Sequence, residues 1–253
     1  MLAVDGMATE AEMAYRQAVA ASAGADAGAV LELAKLLSGQ GRRQEAAALL
    51  HGIWKDAAAG VVGNAEHIDD DADVLSQPTS FVEAAALEEA LWLGDLGQWD
   101  AARFAAAAGL KLAEAAGETA PAAAELVTAI VALQAAAAAP ADSAKNLLLE
   151  ARWAASAAAK SGLAMPGTTG TAAAGVGAAV LAQIELARAK PERAYEAVGM
   201  SFAAWVDQAV PAQVLVAAGS ITGQLTDCAA AVHTAPWLPE AWENMRLAGM
   251  ASS

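Results

Sequence analysis

What most limits how this chain can fold is a spacing of small residues that keeps returning. Ala11, Tyr15 and Ala18 lie four and three residues apart, which puts them on one face of a helix. The spacing recurs as Ala46, Leu50 and Ile53, as Ala144, Leu148 and Ala151, and as Ala194, Val198 and Ser201. Small residues on a shared face let two helix axes approach closely. Internal recurrence at intervals of tens of residues is how an array of helical units looks in sequence. Such arrays serve as binding surfaces more often than as catalytic pockets.

Composition agrees. Hydrophobic residues make up 57% of the 253, yet aromatics only 5%, and alanine supplies most of the difference. Alanine is the best helix former, whereas a β-rich fold would need more Val, Ile, Thr and Tyr. The expected class is all-α, as one helical domain over residues 1–253. A net charge of −15 opposes binding to nucleic acid or an anionic membrane and leaves basic partners favoured. The single cysteine, Cys228, excludes an intramolecular disulfide and fits a reducing compartment. Met1–Val4 meets Asp5 with no basic leader or apolar stretch, so a cytoplasmic protein is expected. The longest apolar run, Ala122 to Ala139, contains Glu125 and Gln134 and is mostly alanine. A buried helix is expected there rather than a membrane span.

Hydrophobic periodicity and breakers predict helices over Thr9–Ala23 with Thr9 as N-cap, Ala27–Ser38, Arg42–Ala59, Ser80–Leu96 with a Ser80/Glu83 capping box, and Trp99–Ala116. Further helices are expected over Ala122–Ala139, Asp142–Ser161, Thr171–Ala189 and Pro191–Val210. Shorter ones begin near Pro211, after Thr226 and after Pro239, giving 11–12 in all. Two interruptions stand out: an acidic loop at 60–79 and a Gly/Thr-rich loop at 162–170. Short connections elsewhere predict antiparallel neighbours.

The pattern Val30, Leu33, Ala34, Leu37, Gly41, Ala46, Leu50 resembles a tetratricopeptide repeat, in which a small residue of the first helix is followed twelve residues later by an alanine of the second. Ala90 and Ala102, Ala132 and Ala144, and Ala182 and Ala194 keep that spacing, and Gly41 and Gly97 share the turn place. Pro236 to Met245 is similar to the link from one repeat to the next. The second-helix alanines Ala11, Ala46, Ala102, Ala144 and Ala194 stand farther apart than the family period of about 34 residues, so the repeats are degenerate. Gln224 stands where a further alanine would be expected. The resemblance implies helix pairs stacked into a right-handed α-α superhelix with a concave groove. Its lining would include Leu31, Lys35, Leu87, Leu91, Leu133, Gln183 and Glu243, with Trp237 and Trp242 as exposed aromatics near one end. That mainly apolar lining suits a peptide or amphipathic helix, and the acidic balance suits a basic one, with Glu240 and Glu243 on the rim.

Catalytic signals are weak. His51, His67 and His233 are isolated in sequence. His67 with Asp69, Asp70, Asp71 and Asp73 is the densest polar cluster but lacks the glycine turn and distal glutamate of an EF-hand. Gly167–Thr171 lacks the Gly-Lys-Ser/Thr end of a phosphate loop. Cys228 and most of the seven tryptophans are expected in the core. No cofactor and no metal is expected. The chain is expected to act as a non-enzymatic protein-binding scaffold. Alternatives are a sensor or regulatory module of a larger bacterial signalling or transcription-control protein, and a self-assembling structural protein joined through open solenoid ends.

Overall fold

A computed structural model of the chain describes residues 2–22, 26–63, 79–116, 121–165, 167–205, 209–234 and 239–251. Among these residues there are twelve helices and no strand: α1 (Leu2–Ala21), α2 (Ala27–Gly39), α3 (Arg43–Gly63), α4 (Thr79–Asp95), α5 (Trp99–Ala115), α6 (Ala122–Ala138), α7 (Ala141–Ala164), α8 (Gly167–Ala187), α9 (Pro191–Ala204), α10 (Ala212–Thr222), α11 (Leu225–Thr234) and α12 (Pro239–Ala251). The chain forms two compact units, Met1–Val127 and Thr128–Ser253, divided within α6. In the first, α1 to α5 pack in succession, and α2 also meets α4 while α3 meets α5. In the second, α7 to α12 pack in succession, with further contacts of α10 with α8 and α12.

Three turns share one geometry. Gly41 and Gly97 adopt positive φ of 81° and 74°, and Ala189 takes the same place with φ 55°. The next amide in each case donates back across the turn at 2.9 Å: Arg42 to Leu37, Gln98 to Leu93, and Lys190 to Glu185. These are left-handed helix endings that satisfy carbonyls otherwise orphaned. Five residues past each turn residue stands a fully buried alanine: Ala46, Ala102 and Ala194. Their first-helix mates Ala34, Ala90 and Ala182 are equally buried, so the twelve-residue spacing marks real helix contacts. The Ala132/Ala144 pair differs. Ala144 is half-buried, and the α6–α7 connection uses Pro140 in extended conformation instead of a left-handed residue.

A fourth turn corrects the sequence reading. Gly223 has φ 62°, and five residues on stands Cys228, fully buried, thirty-four residues after Ala194. The small-residue place expected near Gln224 is filled by Cys228. A Cβ on Gly219 of α10 would lie 3.0 Å from its Sγ, so the two helices nearly touch there.

Several boundaries also differ. Thr9 lies inside α1, which begins at Leu2, and is not its N-cap. Asp26 is a cap the sequence reading left as a break: its side chain accepts from the Ala29 amide at 3.0 Å, meeting one of the four free amides of α2. α4 already includes Ser80, whose side chain lies outside the described residues, as do residues 64–78 of the acidic loop. α9 ends at Ala204 rather than Val210, with Trp205 turned into the core. The Gly/Thr-rich segment is largely helical. α7 runs on to Ala164 and α8 begins at Gly167, because their glycines let the two backbones meet. A Cβ on Gly162 would lie 2.8 Å from the Gly170 carbonyl oxygen, and one on Gly177 would lie 2.9 Å from the Ala159 nitrogen. Of the described residues, one stretch, Gly170–Ala187, is apolar and long enough to cross a bilayer, and 56% of it is buried inside the fold.

Two predictions follow from these close approaches and turns. Ala189→Gly should stabilise the chain by about 1 kcal/mol and Gly41→Ala should destabilise it by about as much, since an L side chain is strained at positive φ. Both shifts are readable as denaturation midpoints. Gly177→Ala should cost about 1–3 kcal/mol, because backbone cannot yield to the new methyl. Gly199→Ala, with open space around it, should instead gain up to about 1 kcal/mol from helix propensity.

Candidate functional site

The proposed groove residues divide by burial. In the first unit Leu31 and Leu87 are buried. Leu87 sits over Gly109 of α5, where a Cβ would approach it to 2.5 Å. These two leucines join helices and do not line an open surface. Leu91 is half-buried, and Lys35 is exposed and bonded to Glu32 at 3.1 Å. The exposed side of α2 and α4 is therefore mixed, with Glu32, Lys35 and Phe81 outermost. In the second unit Leu133 is half-buried, Gln183 is exposed, and Glu243 is held by Arg246 at 2.6 Å. Trp237 lies outside the described residues, and Trp242 is exposed.

The tryptophans hold one surprise. Trp54, Trp92 and Trp205 are buried and Trp99 half-buried, in line with a core role. Trp153, expected in the core, is 70% exposed on α7, because the buried side of that helix is filled by Ala151, Ala155, Ala158, Ala159 and Gly162.

A polar cluster that the sequence reading missed lies between α3, α4 and α5. Glu89 of α4 is buried. One carboxylate oxygen accepts from the Trp54 indole N–H and the other lies 3.2 Å from His51 Nδ1. The His51 ring meets Trp54 edge-on at 5.0 Å, and Trp54 meets the exposed Phe104 at 5.7 Å. His51, isolated in sequence, is thus held by a buried carboxylate. Burial pushes the Glu89 carboxyl above the usual carboxylate range, against the opposing pull of Trp54 and His51. The signal was present: Glu89 shares the apolar face of Ala85, Ala86 and Leu93, where a charge needs a partner.

The second unit has its own buried carboxylate. Glu185 of α8 is met by Arg152 Nε at 2.6 Å and by Arg188 at 3.0 Å. Elsewhere in that unit, the buried Ser201 hydroxyl of α9 donates to the Gly175 carbonyl of α8 at 2.6 Å. A cleft of about 610 Å³ opens at the α2–α3 turn, lined by Arg42, Arg43 and Leu96 among others. Its arginines are engaged. Arg42 meets Glu12 at 2.8 Å and Glu45 at 2.6 Å, Arg16 joins the same carboxylates, and Arg43 meets Asp95 at 3.3 Å. Hydrogen bonds from these arginines hold Glu12 and Glu45 below the usual carboxylate range. The pairs fasten α1 to α3. His67 and the acidic run 66–73 lie outside the described residues. Among the described residues no three His, Cys, Asp or Glu side chains converge as a metal site would require.

The Glu89 cluster makes a signed prediction. The folded chain holds the Glu89 proton more tightly than the unfolded chain does. The stabilisation this gives is present at pH below the ordinary carboxylate value and is lost as pH rises through the raised folded value. Glu89→Gln keeps an acceptor for Trp54 and removes the charge. Its stability relative to wild type should therefore rise from about pH 4 to about pH 7, as read by urea denaturation. A difference constant across that interval would contradict the desolvation of Glu89.

No family model, curated protein or solved structure matches the chain.

Proposed function

We propose that this protein is a non-enzymatic interaction module, a TPR-like right-handed α-α solenoid that binds a peptide or helix along the faces of its first helices. The supporting observation is the repeated turn at Gly41, Gly97 and Ala189, each joining two helices whose buried alanines are twelve residues apart. Packing of α2 on α4, and of α8 and α12 on α10, fits the neighbouring first helices of such a stack. With Leu31 and Leu87 in the core, apolar contact on the first unit falls to Phe81 and Leu91, and charge contact to Glu32 and Glu88. Glu240 and Glu243 offer similar charge on α12. A basic amphipathic helix matches that mixture, with apolar anchors fixing position and basic residues meeting the carboxylates. A rigid preformed stack limits the entropy lost on binding.

A fluorescently labelled leucine–lysine helix of about five turns tests this by anisotropy. It should bind once per chain and weaken as salt screens the charges. Phe81→Glu with Glu88→Lys should lower its affinity at least about tenfold, or 1.4 kcal/mol. Binding no tighter than that of a peptide with its apolar face scrambled, or binding indifferent to those substitutions, would refute the reading.

A further inference from the structure

The outer face of α7 carries a seam unrelated to the first-helix faces. Asp142, Asn146, Leu149, Trp153, Ser156 and Lys160 are spaced alternately four and three residues apart. That 3.5-residue alternation is the seam of a coiled coil. It lies opposite the alanines and glycine that α7 buries, and α8 is a neighbour to which α7 packs. Leu149 is 42% and Trp153 70% exposed. Asp142, Asn146 and Lys160 are exposed and Ser156 half-buried.

The seam is complementary to itself read backwards. Set two copies of α7 antiparallel, with a twofold axis level with residue 151. Leu149 then faces Trp153 of the second copy, Asn146 faces Ser156, and Asp142 faces Lys160. Each pairing occurs twice, as an isologous contact requires. The centre is apolar, the next layer can hydrogen-bond, and the ends carry opposite charges. Shifting the register by one turn would remove the charge pairing and separate leucine from tryptophan. Among the described residues Asp142 meets the exposed Lys145, at 3.7 Å, a surface pairing that leaves it able to turn toward a facing lysine. From Asp142 to Lys160 the seam runs roughly 27 Å at the helical rise. We infer that the chain forms a twofold homodimer through antiparallel pairing of α7 with α7 of a second copy. The seam shares no residue with the proposed peptide-binding faces, so dimerisation and peptide binding stand or fall separately. A single helix pair buries less than the roughly 1,600 Å² of a standard interface, so the dimer should dissociate on dilution.

Sedimentation equilibrium of the full chain, from about 1 μM to about 500 μM, tests the pairing. Wild type should pass from a 25.3 kDa monomer to twice that mass. Trp153→Glu should remain monomeric with unchanged helical circular dichroism. Asp142→Lys and Lys160→Asp should each weaken association at least about tenfold, because like charges then meet at both ends. The double variant should return to within about threefold of wild type. A wild-type monomer throughout overturns the inference. So does a dimer insensitive to Trp153→Glu, and so does a double variant no better than either single one.

Discussion

Everything in this fold depends on how closely its helices approach. The residues at the crossings are alanine, glycine and one cysteine: Ala34 and Ala46, Ala90 and Ala102, Ala182 and Ala194, Gly219 and Cys228. Each contributes little apolar area of its own, and larger side chains such as Leu33, Leu37, Leu50, Trp54 and Ile184 are buried with them. Alanine loses no side-chain entropy when buried, and backbones that nearly touch make many short dispersion contacts. Between α7 and α8 the approach is backbone against backbone, at Gly162, Gly170 and Gly177. A core of this kind has little slack. A methyl added at the seam has nowhere to go, whereas a leucine core could rotate a side chain aside.

Close approach also limits how charge can enter. Both units bury carboxylates that the neighbouring side chains must satisfy, Glu83 and Glu89 in the first and Glu185 in the second. Glu89 meets Trp54 and His51, so desolvation is offset mainly by hydrogen bonds and its carboxyl is raised. Glu185 meets two arginines, a stronger compensation for a buried charge. Its position is informative. It stands four residues before Ala189, where Leu37 and Leu93 stand before Gly41 and Gly97. One helix pair therefore departs twice at the same turn, with Glu for Leu and Ala for Gly. The left-handed turn survives because the amide of Lys190 still reaches the Glu185 carbonyl. Backbone hydrogen bonding carries the geometry, and the side chains adapt around it.

Helix number, helix class and most boundaries were legible in the sequence because period and breakers are local properties. The twelve-residue alanine spacing was legible too, since helix pairs impose it directly. What failed was anything decided by a second helix. Thr9 looked like a cap because the residues before it carry no periodic signal. Gly162 to Gly170 looked like a loop because glycine is a poor helix former in isolation, and only the neighbouring backbone explains its presence. The shift from Gln224 to Cys228 had the same origin: cysteine is small enough for the crossing, yet a search for alanine passes it by. Leu31 and Leu87 were assigned to a groove by their helix position, while their burial depends on Gly109 and on the packing of α2 and α4 with their neighbours.

Trp153 shows how far such a core redistributes the large side chains. Where crossings require small residues, a tryptophan cannot occupy them without forcing the helices apart. It is buried only where room is made for it, as Trp54 is beside Glu89 and Trp205 is over Gly175, or it is left outside. An exposed tryptophan in an ordinary core-forming helix would be a modest anomaly. On α7 it falls in the middle of a four-three seam whose polar members match one another in reverse order. The alanine face turned toward the fold and the mixed seam turned away follow from the same geometry, since a helix buried by small residues on one side keeps its size and chemistry for the other.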